Sequence, residues 1–322
     1  MFYRKVYPKA IKTIFQFPAL IFFGLFSSIL GFNEIKTLFN LTDSVPDFIG
    51  SVVIYWTEIF LLFSSNGFSW AQLPNLLGIA GLFIIFSIVT ILAVSSQGAL
   101  IKASVDNNKR NKKNNFGDYL NIGVEKFWSL LGLNVINTLI GYFFLILVVE
   151  PIIYFLVISD KIFVDLLLAI MIFFVLIPLI IIISFVTRYG AAYVVIKNES
   201  LSSAFIHSWT LFKINWLITL ENAFFLTLIT IFYFLLLATL MALLFVPFLV
   251  FGLLISLGSF FFWLIIILGM LLVITALILG TALYAAFYNI VWANIWENLA
   301  APGKSQSKIQ RLSHKHLPEL NR

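Results

Sequence analysis

Apolar residues run through this chain in long blocks with short polar breaks. Six blocks are long enough to cross a bilayer as helices, which takes about 20 residues each. They are Ile14–Phe32, Leu77–Ile101, Phe127–Leu156, Phe163–Thr187, a fifth starting near Trp216 and ending near Pro247, and a sixth starting near Phe260. The apolar part of the sixth ends near Tyr284, and the pattern carries the helix on to about Glu297. From Asn222 to Trp296 there is no Asp, Glu, Lys, Arg or His. A globular core has no use for such a stretch, whereas two membrane helices joined by a tight turn do. The expected fold is all-α: a polytopic membrane helix bundle of six transmembrane helices.

Charge placement tests that count. With residues 1–13, 102–126, 188–213 and 300–322 in the cytoplasm, 18 of the 20 Lys and Arg lie inside, and only Lys36 and Lys161 fall outside. This is the positive-inside bias of an inner-membrane protein with both termini cytoplasmic. The N-terminal basic residues Arg4, Lys5, Lys9 and Lys12 precede the first apolar block as in a signal peptide. No small-x-small cleavage site closes that block, so it reads as an uncleaved first helix. The apolar stretch Phe48–Phe63 is short and contains Glu58. A seventh span there would turn the basic loop Lys109–Lys113 outward, so it is read as an interfacial or partly inserted helix on the outer face.

The blocks also repeat. Spans two, four and six each end near a glycine followed by small or apolar residues: Gly98-Ala99-Leu100, Gly190-Ala191-Ala192 and Gly280-Thr281-Ala282. Residues 116–133 and 201–218 then share a pattern of polar loop, short amphipathic stretch and aromatic start of the next span. The expected organisation is a transmembrane domain over 1–300, made of hairpins at about 1–105, 106–197 and 198–300, with short interfacial amphipathic helices. A basic cytoplasmic tail, expected to be flexible, follows over 301–322. Copies of equal orientation are related by an axis along the membrane normal. Glycine abundance in membrane helices is the alternative source of the same pattern. In the second amphipathic stretch, Ser200 is placed to cap a helix that begins at Leu201. Leu201, Phe205, Trp209 and Phe212 then share one face, which predicts a short helix in the cytoplasmic interface.

Composition narrows the function. Hydrophobic residues make up 61% of the chain and charged residues 11%, against about 25% charged in soluble domains. The chain has no cysteine, which excludes disulfides, thiolate catalysis and Cys-held zinc or iron–sulfur centres. The net charge of +6 is spread over the flanks of the apolar blocks. It points to anionic lipid on the cytoplasmic face and not to nucleic acid. His207, His314 and His316 have no metal-site spacing, and there is no HExxH, phosphate-binding glycine loop or GxSxG elbow. No catalytic, metal or cofactor residues are assigned.

Residues 188–220, RYGAAYVVIKNESLSSAFIHSWTLFKINWLITL, resemble the signature region of bacterial six-helix membrane proteins related to the membrane domain of glycerophosphoryl diester phosphodiesterases. Arg188, Tyr189, Ala204, Ser208 and Trp209 carry the likeness, with His207 where that group has a basic residue. Gln97 to Leu133 resembles the preceding repeat. The resemblance implies six membrane helices. It does not imply phosphodiesterase activity, which belongs to a separate soluble barrel for which the chain has no room.

Intramembrane polar residues are the remaining candidates. Arg188 closes span four, Glu221 lies in the first turns of span five beside Asn222, and Asn134 and Asn137 share a face of span three. Arg188 is expected to pair with Glu221 and tie spans four and five, with Asn134 or Asn137 as alternative donors to the carboxylate. The functional expectation is a non-enzymatic integral membrane protein with a scaffold, accessory or envelope-homeostasis role, whose partners are the bilayer and, in an accessory role, another membrane protein. A transporter or channel component is the alternative, and an intramembrane lipid-modifying enzyme a third reading. The topology has a direct check, because single cysteines enter a cysteine-free background. Asn111→Cys should resist an impermeant thiol reagent in intact cells, while Asp43→Cys and Asp160→Cys should react. Reaction at position 111 would reverse the orientation.

Overall fold

A computed structural model describes residues 3–39, 73–106, 115–144, 170, 177–253 and 260–300. Among them all regular structure is helical: α1 Tyr3–Gln16, α2 Leu20–Phe39, α3 Leu73–Asp106, α4 Phe116–Glu125, α5 Phe127–Phe144, α6 Ile177–Lys197, α7 Leu201–Leu253 and α8 Phe260–Ala300. The stretch Phe48–Phe63, the loop Lys109–Lys113 and the tail 301–322 lie outside the described residues. Four helices are long and apolar enough to cross a membrane, or five if the bent pair of α1 and α2 counts as one span.

Side chains are distributed as in a protein whose surroundings are apolar. Phe83 and Phe86 on α3, Phe232 and Leu243 on α7, and Phe260 and Phe261 on α8 are exposed. The interior is rich in small residues: Ala10, Ala99, Ala103, Ala191, Ala192, Ala204, Ala286 and Ala293 are buried, among larger ones such as Phe23, Leu130 and Tyr189. In water that exposed surface would drive aggregation. In lipid there is no apolar driving force between helices, so close approach through small residues decides the packing. The fold is consistent with a helical membrane protein.

Two element boundaries differ from the expected ones, each for a local reason. The first apolar block is not one straight helix, because the chain turns by 120° between Val6–Gln16 and Leu20–Leu30. Pro18 lacks an amide hydrogen and pushes Phe17 away from helical geometry. α1 therefore ends on the bond from Phe17 N to Thr13 O, and α2 starts with Leu20 N bonded to Phe17 O. Hydropathy does not weigh proline, so the apolar pattern runs straight through. α1 then lies across the bundle and buries Val6, Ala10, Thr13 and Ile14, spaced as one helical face. Its Lys9 Nζ reaches Glu297 Oε2 on α8 at 2.8 Å.

The second difference is the end of α6. It does not close at Arg188 but continues to Lys197, burying Tyr189, Ala191, Ala192, Val194 and Val195. Asn198 stops it with φ of 56°, the left-handed conformation that asparagine tolerates better than most residues. A break inside α7 at Asn215, where φ is −120° and ψ is 24°, falls at the expected boundary between the short helix and span five. The Asn215 side chain donates to Leu211 O at 3.1 Å. A helix of residues 201–214 is thus set off from the long helix that follows.

The last part of α8 lies at the centre. Ile290 through Trp296 are all buried, and α8 packs against α1, α2, α3, α6 and α7. α4 packs on α3, α5 on α3 and α6, and α7 on α6 and α8. α1 returns to α8. Two glycines set the closest approaches. A Cβ on Gly24 of α2 would stand 2.0 Å from Ala282 O and 2.9 Å from Ala286 Cβ on α8. A Cβ on Gly123 of α4 would stand 2.0 Å from Ser95 O on α3. Both obstacles include backbone, which cannot swing aside. Gly24→Ala and Gly123→Ala should each lower unfolding stability in lipid-like micelles by about 1–3 kcal/mol. Gly141→Ala, with nothing within 4 Å of its Cβ, should have no such effect. Equal behaviour of the three variants would mean that these crossings are looser than described.

Candidate functional site

The densest polar and aromatic constellation lies where α6, α7 and α8 meet. On α8, Tyr284, Tyr288, Trp292 and Trp296 recur every fourth residue and so share a face. Tyr284 and Tyr288 have ring centroids 5.8 Å apart, and Tyr288 and Trp292 6.3 Å. α6 meets this ladder with Phe185, 5.3 Å from Trp292, and Tyr189, 5.9 Å from the same ring. Tyr193 stands edge-on to Trp296 at 5.1 Å. α7 adds Tyr233, stacked on Tyr284 at 5.3 Å, whose hydroxyl donates to Gly280 O at 2.8 Å. The Thr230 and Tyr284 hydroxyls are hydrogen-bonded to each other.

Arg188 sits on this ladder. Its guanidinium carbon lies 4.6 Å from the centre of the Tyr288 ring and 5.6 Å from that of Trp292, and its Nε donates to Ser184 Oγ at 3.4 Å. A planar guanidinium is weakly hydrated and stacks well on ring faces, so this arrangement is specific to arginine. Arg188 precedes the last residue of α6, Lys197, by nine residues, about 13 Å along the helix axis. Next to it, the fully buried Tyr189 hydroxyl pairs with Thr219 Oγ1 at 2.8 Å. That bond sets α6 against α7, with Glu221 two residues beyond Thr219. Glu221 is half-buried there.

The two asparagines on α5 point to different helices. Asn134 Nδ2 donates to Gln97 Oε1 on α3 at 2.9 Å and to Leu130 O at 3.0 Å. Asn137 Oδ1 accepts from Thr187 Oγ1 on α6 at 3.4 Å. Two further ties join distant parts of the chain: Tyr7 OH donates to Asn222 O and Asn289 Nδ2 to Ser27 Oγ, both at 3.4 Å. Sequence reasoning named the arginine and the asparagines but not their aromatic and amide partners. The fourfold spacing of Tyr284, Tyr288, Trp292 and Trp296 was the available signal.

In the helix of residues 201–214 the protein-facing side is centred on Ala204, Ser208 and Leu211, all buried. Leu201, Phe205 and Phe212 form its edge, with Phe212 6.3 Å from Phe185. Trp209, expected on the same face, is 40% exposed, with Lys213 Nζ 5.3 Å from its ring. The buried face is therefore turned toward the small residues, because Ala204 and Ser208 allow the close contact with α6 around Gly190. The hydroxyl of Ser200 pairs with that of Ser203 at 3.0 Å, while its carbonyl accepts from Ala204 N. His207 Nδ1 lies 2.7 Å from Glu199 Oε2 on the exposed side. On α4, burial first and then the charges of Asp106 and Asp118 hold the Tyr119 phenol above its ordinary pKa. Among the described residues no group of three His, Cys, Asp or Glu is placed to hold a metal. His314 and His316 lie outside them.

These features define an apolar-surfaced bundle of helices whose interior polar groups lie at helix contacts. No family model, curated protein or solved structure matches the chain. The arginine site is open to a quantitative check. In a double-mutant cycle, Arg188→Leu and Trp292→Leu should show a coupling of about 1–2 kcal/mol in micelle unfolding. Arg188→Lys should retain only part of it. The same cycle on Arg188 and Glu221 tests the expected ion pair, and additivity there would remove it.

Proposed function

We propose that this chain is a six-span inner-membrane protein with cytoplasmic termini, acting as a non-enzymatic scaffold, accessory subunit or envelope-homeostasis factor. We place it with the six-helix group that resembles the membrane domain of glycerophosphoryl diester phosphodiesterases. The carrying observation is how the polar side chains are used. Gln97–Asn134, Thr187–Asn137, Tyr189–Thr219, Thr230–Tyr284 and Lys9–Glu297 each join two helices. Such pairs hold a bundle together. A reaction centre instead needs several groups converging on one point.

Six spans follow if the bent pair and the shorter α5, Phe127–Phe144, are added to the four long helices. Three hairpins related by an axis along the membrane normal are supported by the order of contacts. α1, α4 and residues 201–214 each precede a span, and they pack on α8, α3 and α6, the last helix of the neighbouring hairpin. Two of the ties also correspond. Gln97 and Tyr189 each stand immediately before a buried glycine, and each bonds the first span of the following hairpin. The third glycine departs from this, since Gly280 faces Leu237 within its own hairpin.

A transport or channel role has one observation in its favour. Asn294 on α8 is fully buried, and among the described residues neither atom of its amide has a hydrogen-bond partner. Such a group is costly and is retained where it serves something. Asn294→Leu separates the readings. On the scaffold reading it should raise unfolding stability by about 1–3 kcal/mol and leave the protein's associations intact. Capture of the full chain from native membranes in mild detergent should bring down a stoichiometric membrane partner. Isolation without a partner, together with solute flux in proteoliposomes that Asn294→Leu abolishes, would replace the scaffold with a transporter.

A further inference from the structure

Asn294 has a counterpart on α7. Among the described residues, Asn222 is also fully buried and its Oδ1 has no hydrogen-bond partner. Its Nδ2 donates to Ile218 O at 2.7 Å, which settles which end of that amide is spare. The contacts of α7 with α8 bring the two asparagines level. A Cβ on Gly269 would meet Phe248 and one on Gly280 would meet Leu237, so eleven residues forward along α8 match eleven back along α7. From the Gly280–Leu237 contact, Asn294 lies fourteen residues on and Asn222 fifteen back, about 21–23 Å along each helix. Both steps are close to four whole turns, so each asparagine continues the side of its helix that faces the other. The break at Asn215 lies outside this stretch. α1 crosses the seam at the same height. Tyr7 OH donates to Asn222 O at 3.4 Å, and the Tyr7 ring centroid is 6.4 Å from that of Phe287, about two turns before Asn294. Three residues past Asn294, Glu297 holds Lys9. Leu226 and Ile290, one turn away on α7 and α8, are buried beside the amides.

We propose that Asn222 and Asn294 form a binding site, beneath α1, for a small neutral molecule that offers two donor hydrogens and one acceptor, as a primary amide does. The spare atoms dictate that complement. The two amide oxygens accept, and the Asn294 NH2 group donates. Although the asparagines stand level on facing sides, neither amide bonds the other, and a group between them can use all of these atoms. A few convergent polar groups among apolar side chains are the make-up of a small-molecule site. A charged ligand is disfavoured, since neither asparagine supplies a countercharge to offset its burial. The site does not depend on whether the chain is a scaffold or a transporter, because it follows from the α7–α8 register and the unused amides.

The test uses the full chain in lipid-like micelles with isotope-labelled asparagine, and acetamide as the probe. Acetamide should shift, saturably, the side-chain NH2 resonance that Asn294→Leu removes. N,N-dimethylacetamide, which keeps the acceptor but has no donor hydrogen, should not. Asn222→Leu should weaken acetamide binding by about tenfold or more, the loss of one buried hydrogen bond. Asn134→Leu breaks a polar tie elsewhere in the bundle and should leave binding unchanged. Acetamide should also raise the unfolding midpoint of the wild type and not that of Asn294→Leu, a readout that serves if Asn222→Leu fails to fold. Absence of a saturable shift overturns the proposal. So does an equal response to dimethylacetamide, or acetamide binding that survives both asparagine variants. A resonance that exchanges magnetisation with long-lived bound water and ignores acetamide assigns the site to water and overturns the amide ligand.

Discussion

Helices with apolar surroundings gain nothing from burying leucine against leucine, so what holds them is how closely their backbones approach. That constraint explains where this chain spends its small residues. Gly24 lets α2 touch the backbone of α8 at Ala282, and Gly123 lets α4 touch the backbone of α3 at Ser95. Around those contacts alanine, serine and glycine lie beside buried larger residues such as Leu20, Phe23, Leu100 and Leu130, while many other leucines and phenylalanines are outside. Ala282 and Ala286 keep α8 narrow where α2 crosses it, and its buried end packs the larger Trp292 and Trp296.

Polar groups supply what close packing alone lacks, which is register. Each tie fixes one helix against another at a definite height: Tyr189 on Thr219, Asn134 on Gln97, Asn289 on Ser27. An amide or hydroxyl displaced by one turn would lose its partner in surroundings that offer no water. Lys9 and Glu297 do the same at the edge of the bundle and hold α1 against the end of α8. Arg188 follows another logic, because its charge rests on two ring faces that tolerate sliding better than a hydrogen bond does. These ring contacts join α6 to α8, and the neighbouring Tyr189 fixes α6 against α7.

The amphipathic elements show how a surface helix serves two neighbours. Residues 201–214 turn Ala204, Ser208 and Leu211 to the bundle and Trp209 and Lys213 away from it. α1 does likewise, with Ala10 and Ile14 inward and Ile11 and Phe15 outward. A helix with apolar residues on both sides suits a position between protein and lipid. The stripe of Leu201, Phe205, Trp209 and Phe212 is thus divided, with Trp209 exposed and the other three at the edge of the buried face.

The amino-acid order alone determined the helical class, the apolar lengths, the start of α5 at Phe127 and the separation of residues 201–214 from the helix after Asn215. These are local properties, written in hydropathy, capping and spacing. It also singled out Arg188, Asn134 and Asn137, since isolated polar residues in apolar runs are conspicuous. Tertiary structure decided the rest. The 120° turn at Pro18, the continuation of α6 past Arg188 and the inward face of residues 201–214 all depend on what each segment packs against. Partner choice was hidden for the same reason. Tyr288 and Trp292 lie some 100 residues from Arg188 along the chain, and in a sequence where 17% of residues are aromatic the fourfold spacing marks a shared face but not which of its rings meet the guanidinium.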